Sequence, residues 1–330
     1  MRPSIVLAAF IAILLAAFAP AAVCPAGAPA TTGETPRGEP RTLRAERLLD
    51  RDWLRERGIE APSRLAFDDA GALYVLDGSA RRVIRLPLES AGADRYGEPA
   101  ADRYGEEMAA SWIPSDLALD LRGSLLVLDR ASASVAAYAR RGEALGDRDL
   151  DPPLQDEARA AGARLLRDPY GELWLLAPRE RDLVSLDARL RRRRVGRYLL
   201  PEASLEFPVA AAFLPRGGGW IADAGNGVLR RFEATGRLSA TAHAPDSIAF
   251  EPSDLASDAT GAVYASDAAG CRVIAFGPDG APLAIHWLSG DGRPWRPAAI
   301  AWSPADRIAV ADPGRGEIWI LAVVREEGSP

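Results

Sequence analysis

The stretch from Pro208 to Phe232, PVAAAFLPRGGGWIADAGNGVLRRF, contains the pattern that indicates the architecture of the chain most clearly. After Pro208, a glycine turn comes nine residues later at Gly217, and an apolar run ends fifteen residues later at Asp223. Short apolar runs bounded by glycine and aspartate are typical of β-strands joined by tight turns. The stretch therefore predicts three consecutive antiparallel strands.

The same template recurs along the chain, so it is a structural repeat. In four further units an anchor proline is followed fifteen residues later by an aspartate. These pairs are Pro62 and Asp77, Pro114 and Asp129, Pro252 and Asp267, and Pro297 and Asp312. A sixth unit starts at Gly162 and has Ala177 in place of the aspartate.

The length of the repeat indicates the architecture. A unit of about 45 residues that holds four strands is typical of a propeller blade. In each unit a more polar segment, such as Pro282–Leu288 or Arg192–Leu199, supplies the fourth strand. The sequence therefore predicts an all-β fold, a six-bladed β-propeller with four-stranded antiparallel blades.

Closure of the ring requires an N-terminal strand. The last unit ends at Leu321 after three strands, and Thr42–Leu49 resembles the fourth strands of the other units. An open sheet edge exposes unpaired backbone groups, which a borrowed strand covers. We predict that Thr42–Leu49 pairs with Glu317–Val323, that the propeller covers residues 41–324, and that residues 325–330 form a tail.

The repeat resembles the NHL family and, more broadly, the six-bladed propellers of the gluconolactonase and TolB-like type. Trp220–Phe232 is the best match, Pro252–Phe276 is the next best, and the resemblance covers about Thr42 to Val324. It departs at Ala177 and Pro178, which weakens the turn of the third blade. The resemblance implies the architecture but not one activity, because the family includes partner-binding modules and a few enzymes.

The N-terminal residues predict export. Residues 1–24 have the pattern of a signal peptide, with Arg2 before the apolar run Ile5–Ala19, and residues 25–40 have the composition of a flexible linker. The expected location is periplasmic or extracellular, with no transmembrane span after cleavage. Lipid attachment at Cys24 is the alternative, although Val23 before it is a poor match to a lipoprotein signal. If Cys24 is removed, Cys271 is the only thiol, and we interpret it as a small apolar residue.

The composition excludes several classes of function. The net charge of −6 argues against a nucleic-acid binder, which normally needs a basic face. Separately, we expect the protein to be a monomer. Related lactonases hold a central metal with glutamate and asparagine side chains, but Asn226 is the only asparagine in this chain. Related lyases hold zinc with several histidines, whereas this chain has only His243 and His286. Both are predicted to lie on outer strands as surface residues.

The repeated aspartates are expected to be structural. One aspartate in each of five blades is typical of a carboxylate that accepts backbone N–H groups in its own turn. The alternative is that these aspartates form a ring of carboxylates that binds a cation. We assign the turn role to Asp77, Asp129, Asp223, Asp267 and Asp312. The aromatic residues just before the anchors are expected to pack between blades, namely Trp112, Phe207, Phe250 and Trp295.

The expected function is that of an exported, non-catalytic propeller that presents one loop face to a protein, peptide or glycan, without a cofactor. Residues that differ between equivalent turns are the candidate ligand-binding residues, because binding specificity must come from side chains that are not common to all blades. They are Arg81, Arg82, Arg130, Arg179, Glu180, Arg181, Asn226 and Arg315. The alternative is a metal-dependent hydrolase or lyase, similar to the lactonases, with a divalent cation in a carboxylate-lined central site.

Overall fold

The computed structural model describes residues 41–88, 112–193, 205–245, 249–288 and 293–325, together with the backbone of residues 102–104. In chain order the elements up to the third blade are β1 (Arg41–Leu49), α1 (Arg51–Glu56), β2 (Pro62–Phe67), β3 (Ala72–Asp77), β4 (Arg82–Pro87), β5 (Asp102–Tyr104), β6 (Pro114–Leu119), β7 (Leu125–Asp129), β8 (Ser134–Tyr138), β9 (Ala144–Asp149) and α2 (Pro152–Arg159). The remaining elements are β10 (Arg164–Arg167), β11 (Leu173–Ala177), β12 (Asp182–Leu186), β13 (Pro208–Phe213), β14 (Gly219–Asp223), β15 (Val228–Phe232), β16 (Leu238–Ala242), β17 (Pro252–Ser257), β18 (Val263–Asp267), β19 (Arg272–Phe276), β20 (Pro282–Trp287), β21 (Ala299–Ser303), β22 (Arg307–Asp312) and β23 (Glu317–Arg325).

The strands form six sheets arranged as the blades of a propeller, so the predicted fold is confirmed. The blades are β2–β5, β6–β9, β10–β12, β13–β16, β17–β20, and β21–β23 with β1. The inner strand of each blade contacts the inner strand of the next, and the contact between β2 and β21 closes the ring. Most of the predicted fourth strand at Arg192–Leu199 lies outside the described residues.

The ring is closed as predicted by the N-terminal strand. β1 pairs antiparallel with β23, with Thr42 opposite Val324 and Leu49 opposite Ile318. Leu43 and Leu49 are buried, so the strand contributes apolar side chains as well as backbone hydrogen bonds. The closing contact therefore joins the two ends of the propeller into one sheet.

The hydrophobic core lies between adjacent blades rather than at a single centre. Leu76 and Val83 of the first blade pack with Val127 of the second, and these side chains are fully buried. Because each blade is covered on both faces by its neighbours, its strands carry apolar residues on both faces. Burial of one such side chain is worth about 1.5–3 kcal/mol.

The two ends of the propeller carry different turns. We call the end with the turns between second and third strands the upper face, formed by residues 78–81, 130–133, 178–181, 224–227, 268–271 and 313–316. The lower face carries the turns between first and second strands. Here a second set of aspartates, whose role was not predicted, caps the turns with carboxylates that accept the backbone N–H groups two and four residues later. This set is Asp68, Asp120, Asp168 and Asp258.

Two short helices were not predicted. In α1 the carboxylate of Asp50 accepts the Trp53 N–H at 2.8 Å, which caps the first turn. In α2 a proline occupies the first turn, where the missing N–H costs nothing. None of the described helices is long and apolar enough to cross a membrane.

Candidate functional site at the propeller axis

The predicted turn aspartates lie on the upper face, where each accepts hydrogen bonds from its own turn and from the segment before the anchor. Asp77 accepts the N–H groups of Ser79 and Ala80 in its own turn and that of Glu60 before the anchor, at 2.6–2.9 Å. Burial alone would raise the pKa of Asp77, but these backbone hydrogen bonds outweigh it and lower the pKa below its ordinary value. The same arrangement recurs at Asp129, Asp267 and Asp312. Asp223 accepts the N–H groups of Glu206 and Phe207 before its anchor and the side-chain amide of Asn226 in its turn.

These carboxylates do not converge on a metal site. Their oxygens point into separate turns, and the backbone N–H groups occupy the positions where a cation would bind. Within the described ranges, no three histidine, cysteine or acidic side chains are grouped so that they could hold a metal ion. The alternative of a cation held by the repeated aspartates therefore has no geometric support in this part of the chain.

The third blade replaces its missing aspartate with a residue from another element. Ala177 stands where the carboxylate is expected, but Glu157 of α2 accepts the Arg179 N–H at 2.9 Å. Glu157 is buried, and the N–H that it accepts is the one that the repeat aspartate serves in other blades. Helix α2 therefore delivers a substitute carboxylate for one of the hydrogen bonds that the expected weakening of this turn assumed to be lost.

Four charged side chains that were not predicted as site residues meet at the axis. They occupy the position two residues after the anchors and are Arg64, Asp116, Arg164 and Asp254, which we call the axial network. In the first, second and fifth blades a β-bulge lies between the anchor and this position. The signal was an alternation of Arg, Asp, Arg, Ala, Asp and Ala in one column of the repeat.

Arg164 is the centre of the axial network. Its Nε donates to Asp116 Oδ2 at 2.9 Å, and its terminal nitrogen Nη2 lies 3.0 Å from Asp254 Oδ1. The same carboxylates also accept the backbone N–H groups of Leu165 and Ile300 from neighbouring blades. Burial alone would lower the pKa of Arg164, but the two carboxylates outweigh it and raise the pKa. The network therefore ties four blades together across the axis.

Arg64 is neutralised less completely. Its Nε lies 3.5 Å from Asp116 Oδ1, and Nε has no hydrogen-bond partner among the described residues. Nη1 donates to the Ser63 carbonyl at 2.7 Å. Burial and the nearby charge of Arg164 lower the pKa of Arg64, against the opposing effect of the two aspartates. Arg64 is thus an incompletely paired cation at the axis.

The axial network separates two cavities. The cavity on the upper face, which we call the upper funnel, has a volume of about 470 Å³ and is lined by Arg64, Phe207, Val209, Glu251, Pro252 and Ser253, with glycine and alanine residues between them. The cavity on the lower face has a volume of about 410 Å³ and includes Arg164 and Asp254 in its lining. Arg64 lies deepest in the upper funnel, because it stands two residues after its anchor on the inner strand. The other lining residues stand at their anchor, within one residue of it, or in the upper-face turns.

The eight predicted ligand-binding residues lie in or directly after the upper-face turns, but none of them lines the upper funnel. Several are engaged with neighbouring groups. Glu180 pairs with Arg192 at 2.6 Å, and the Asn226 amide donates to Asp223 at 2.6 Å. Arg315 donates to Glu317 at 2.8 Å. The guanidinium groups of Arg82 and Arg181 donate to the carbonyls of Gly58 and Leu205. The backbone N–H groups of Arg130 and Arg179 donate to the Ile113 carbonyl and the Glu157 carboxylate. Arg81 has a positive φ of 55°.

Phe207 does not pack between blades as expected. Trp112, Phe250 and Trp295 are buried, whereas Phe207 is 48% exposed and lines the upper funnel. Phe207 directly precedes its anchor proline, whereas the other three stand two residues before theirs. Leu205, rather than Phe207, is the buried apolar residue of this segment. Because Phe207 stands one residue closer to its anchor than the other three aromatics, its phenyl ring faces the cavity.

Cys271 is a buried residue but not a lone thiol. It is 1% exposed, packs between the fifth and sixth blades, and is disulfide-bonded. The only other cysteine of the chain, Cys24, lies outside the described residues. The interpretation of Cys271 as a simple apolar side chain was therefore incomplete.

His286 was predicted to be an ordinary surface residue, but it is half-buried beside the closing strand. Its Nδ1 lies 2.9 Å from the Leu43 carbonyl of β1. Burial lowers the pKa of His286, against a smaller opposing effect of that carbonyl. His243, which follows β16, is exposed as predicted.

We expect His286 to make stability fall as the pH is lowered. Because its folded pKa is depressed, its contribution is complete above its ordinary pKa of about 6.5 and is lost as pH falls below that value. The variant His286→Gln keeps a donor for the Leu43 carbonyl without a titrating group, so its Tm should decline less between pH 7 and 5.5, about the range where histidine titrates. His243→Gln is the control, and an equal slope in both variants would contradict the prediction.

The sequence comparisons do not identify a family, because no family model and no curated protein matches the chain. Solved structures match over most of their length. A PQQ-bound aldose sugar dehydrogenase from Streptomyces coelicolor has a TM-score of 0.60 at 12% identity, over 87% of this chain and 100% of that chain. A gluconolactonase from Xanthomonas campestris has a TM-score of 0.57 at 15% identity, over 90% and 99%. A catalytically inactive variant of virginiamycin B lyase from Staphylococcus aureus has a TM-score of 0.56 at 14% identity, over 86% and 100%. At these identities the likeness concerns the fold alone, and the chain is a six-bladed β-propeller structurally related to these three proteins.

Proposed function

We propose that the chain is an exported, non-catalytic binding propeller of the NHL-like kind, which presents its upper face to a protein, peptide or glycan. The observation that carries this proposal is the position of Arg164 between Asp116 and Asp254. A central metal would need these carboxylates as ligands. The guanidinium already neutralises them, and its positive charge opposes the binding of a cation at the same place.

The alternative is a metal-dependent hydrolase or lyase. It is supported by the fold, because the structural neighbours described above are enzymes. Fold is weak support for activity, since one architecture carries many functions. For this alternative to hold, a divalent cation must displace Arg164 from the two axial carboxylates.

Metal analysis of the mature protein tests the proposal. The protein is dialysed against Ca²⁺, Mn²⁺ or Zn²⁺, passed through a desalting column and analysed for bound metal. We expect much less than one ion per chain. One tightly held ion per chain that is lost in Asp254→Asn, but retained in the exposed control Asp147→Asn, would overturn the non-catalytic proposal and favour the enzyme.

The same preparation tests export. The apolar run Ile5–Ala19 after Arg2 supports it, because this pattern is typical of a signal peptide. When the full chain is expressed with its own N-terminal segment, we expect the protein outside the cytoplasm and shortened at its N-terminus. Recovery of the uncleaved chain from the cytoplasm would contradict export.

A further inference from the structure

The two carboxylates and two guanidinium groups at the floor of the upper funnel sum to zero charge, but they are paired unevenly. Asp116 and Asp254 together face two guanidinium groups, but Arg164 makes the short contacts with both carboxylates. Arg64 retains one longer contact of 3.5 Å, and its side chain is 23% exposed at the bottom of the cavity. A partly buried cation with only one distant counter-charge carries a desolvation cost, and an anion that enters the funnel would reduce that cost.

The walls of the upper funnel suit a small organic group. Phe207 presents an aromatic ring that is 48% exposed, and Val209 and Pro252 add apolar surface. The volume of about 470 Å³ is in the range of small-ligand sites, which is about 300–1,000 Å³. Glu251 is the only acidic side chain among the described residues that line the funnel. Its charge opposes anions with more than one negative charge.

We propose that the upper funnel binds a monoanionic organic carboxylate, with Arg64 pairing with the carboxylate and Phe207 packing against the apolar part of the ligand. This inference rests on the proposed binding function and names its ligand chemistry. A planar guanidinium matches a carboxylate with two parallel hydrogen bonds. The same chemistry is offered by a free small acid and by the C-terminus of a peptide that ends in an apolar residue.

Titration calorimetry of the mature protein, the chain after cleavage of its signal peptide, tests the proposal with four probes. They are 3-phenylpropanoate, its amide, a short peptide with C-terminal phenylalanine, and the same peptide with an amidated C-terminus. We expect each acid to bind at least about tenfold more tightly than its amide, a difference of about 1.4 kcal/mol. The two acids identify the source, because a site for free acids favours phenylpropanoate and a site for chain ends favours the peptide. Equal affinity of acids and amides would overturn the proposal.

Variants locate the site. Arg64→Met should abolish carboxylate binding. Phe207→Ala should weaken the binding of phenylpropanoate but leave unchanged that of acetate, a further probe that has a carboxylate without a large apolar group. Arg122→Met, at an exposed arginine on a lower-face turn, is the matched control and should leave binding unchanged. Because Arg64→Met removes part of the axial network, Glu251→Gln supplies a second measurement at an exposed position. It should tighten carboxylate binding, and unchanged affinity in both variants would overturn the site.

The outcomes also separate this inference from the proposed function. If no probe binds and the metal analysis remains negative, the carboxylate site is overturned while the binding function stands. If a bound probe is chemically converted, or a stoichiometric metal is found, the non-catalytic function is overturned. In that case carboxylate binding that depends on Arg64 still supports the site.

Discussion

Replacement of Arg164 by methionine is expected to lower the free energy of unfolding by about 3–5 kcal/mol, the cost of breaking a buried ion pair by removing one partner. The side chain is 8% exposed and contacts carboxylates that are themselves 2–3% exposed. Without the guanidinium, Asp116 and Asp254 remain buried near the axis with much of their charge uncompensated. Methionine fills a similar volume, so the loss reports charge rather than a cavity.

Urea unfolding of the mature chain measures this effect. Arg122→Met is the matched control, and as an exposed surface change it should alter the free energy of unfolding by no more than about 0.5 kcal/mol. The double variant Arg164→Met with Asp254→Asn should recover part of the loss, because one of the two uncompensated charges is removed with its partner. A loss in Arg164→Met no larger than in the control would show that the axial network does not stabilise the fold.

Replacement of Arg41 by alanine is expected to destabilise the protein by a similar amount, about 3–5 kcal/mol, through the closing strand. Arg41 begins β1, and its guanidinium pairs with Asp258 and donates to Tyr264 at 2.6 Å. Both members of the ion pair are almost fully buried. The variant leaves Asp258 without its cation and frees the start of β1 from the fifth blade.

The Arg41→Ala effect should depend on pH. Burial alone would raise the pKa of Asp258, but hydrogen bonds from Thr260 and Arg41 outweigh it and lower the pKa. A carboxyl with a depressed folded pKa stabilises the fold above its ordinary pKa, and this contribution is lost as pH falls. The difference between wild type and variant should therefore be larger at neutral pH than in acid.

Arg44→Ala is the control for this experiment, because Arg44 lies in the same strand, is exposed and pairs through its backbone with Ala322. Urea unfolding gives the stability of each variant, and hydrogen exchange of the β1 amides shows whether the strand opens locally. We expect faster exchange in Arg41→Ala and wild-type exchange in Arg44→Ala. Equal stability and exchange in the two variants would contradict the role of Arg41 in holding β1.

The repeat could be predicted because its signal is local. Each blade repeats one order of apolar runs, glycine turns and an aspartate, and these residues act within about 25 positions of each other. The pairing of β1 with β23 was predictable for a different reason, since a ring with one missing strand requires it. By contrast, the exposure of Phe207 depended on a shift of one position, which the apparent register concealed.

The candidate site was not predictable in the same way. Arg64, Asp116, Arg164 and Asp254 are far apart in sequence, and their local surroundings do not separate them from charged residues at the surface. Only the comparison of one repeat position across all six units sets them apart. Glu157 likewise substitutes for a missing aspartate only because a helix brings it to the next turn. The turn residues selected for their variability lie around the rim, outside the cavity.

The order of residues along the chain specifies the six-bladed ring and its closing strand, because repeated local patterns specify repeated local structure. The arrangement of charges at the centre, in contrast, depends on how the folded blades are placed around the axis. Circular closure brings one position of every blade to a common axis, where charges from four blades meet and their pairing distances determine which cation is neutralised. Electrostatic pairing depends on distance and burial rather than on sequence order, so the difference between Arg164 and Arg64 exists only in the folded ring.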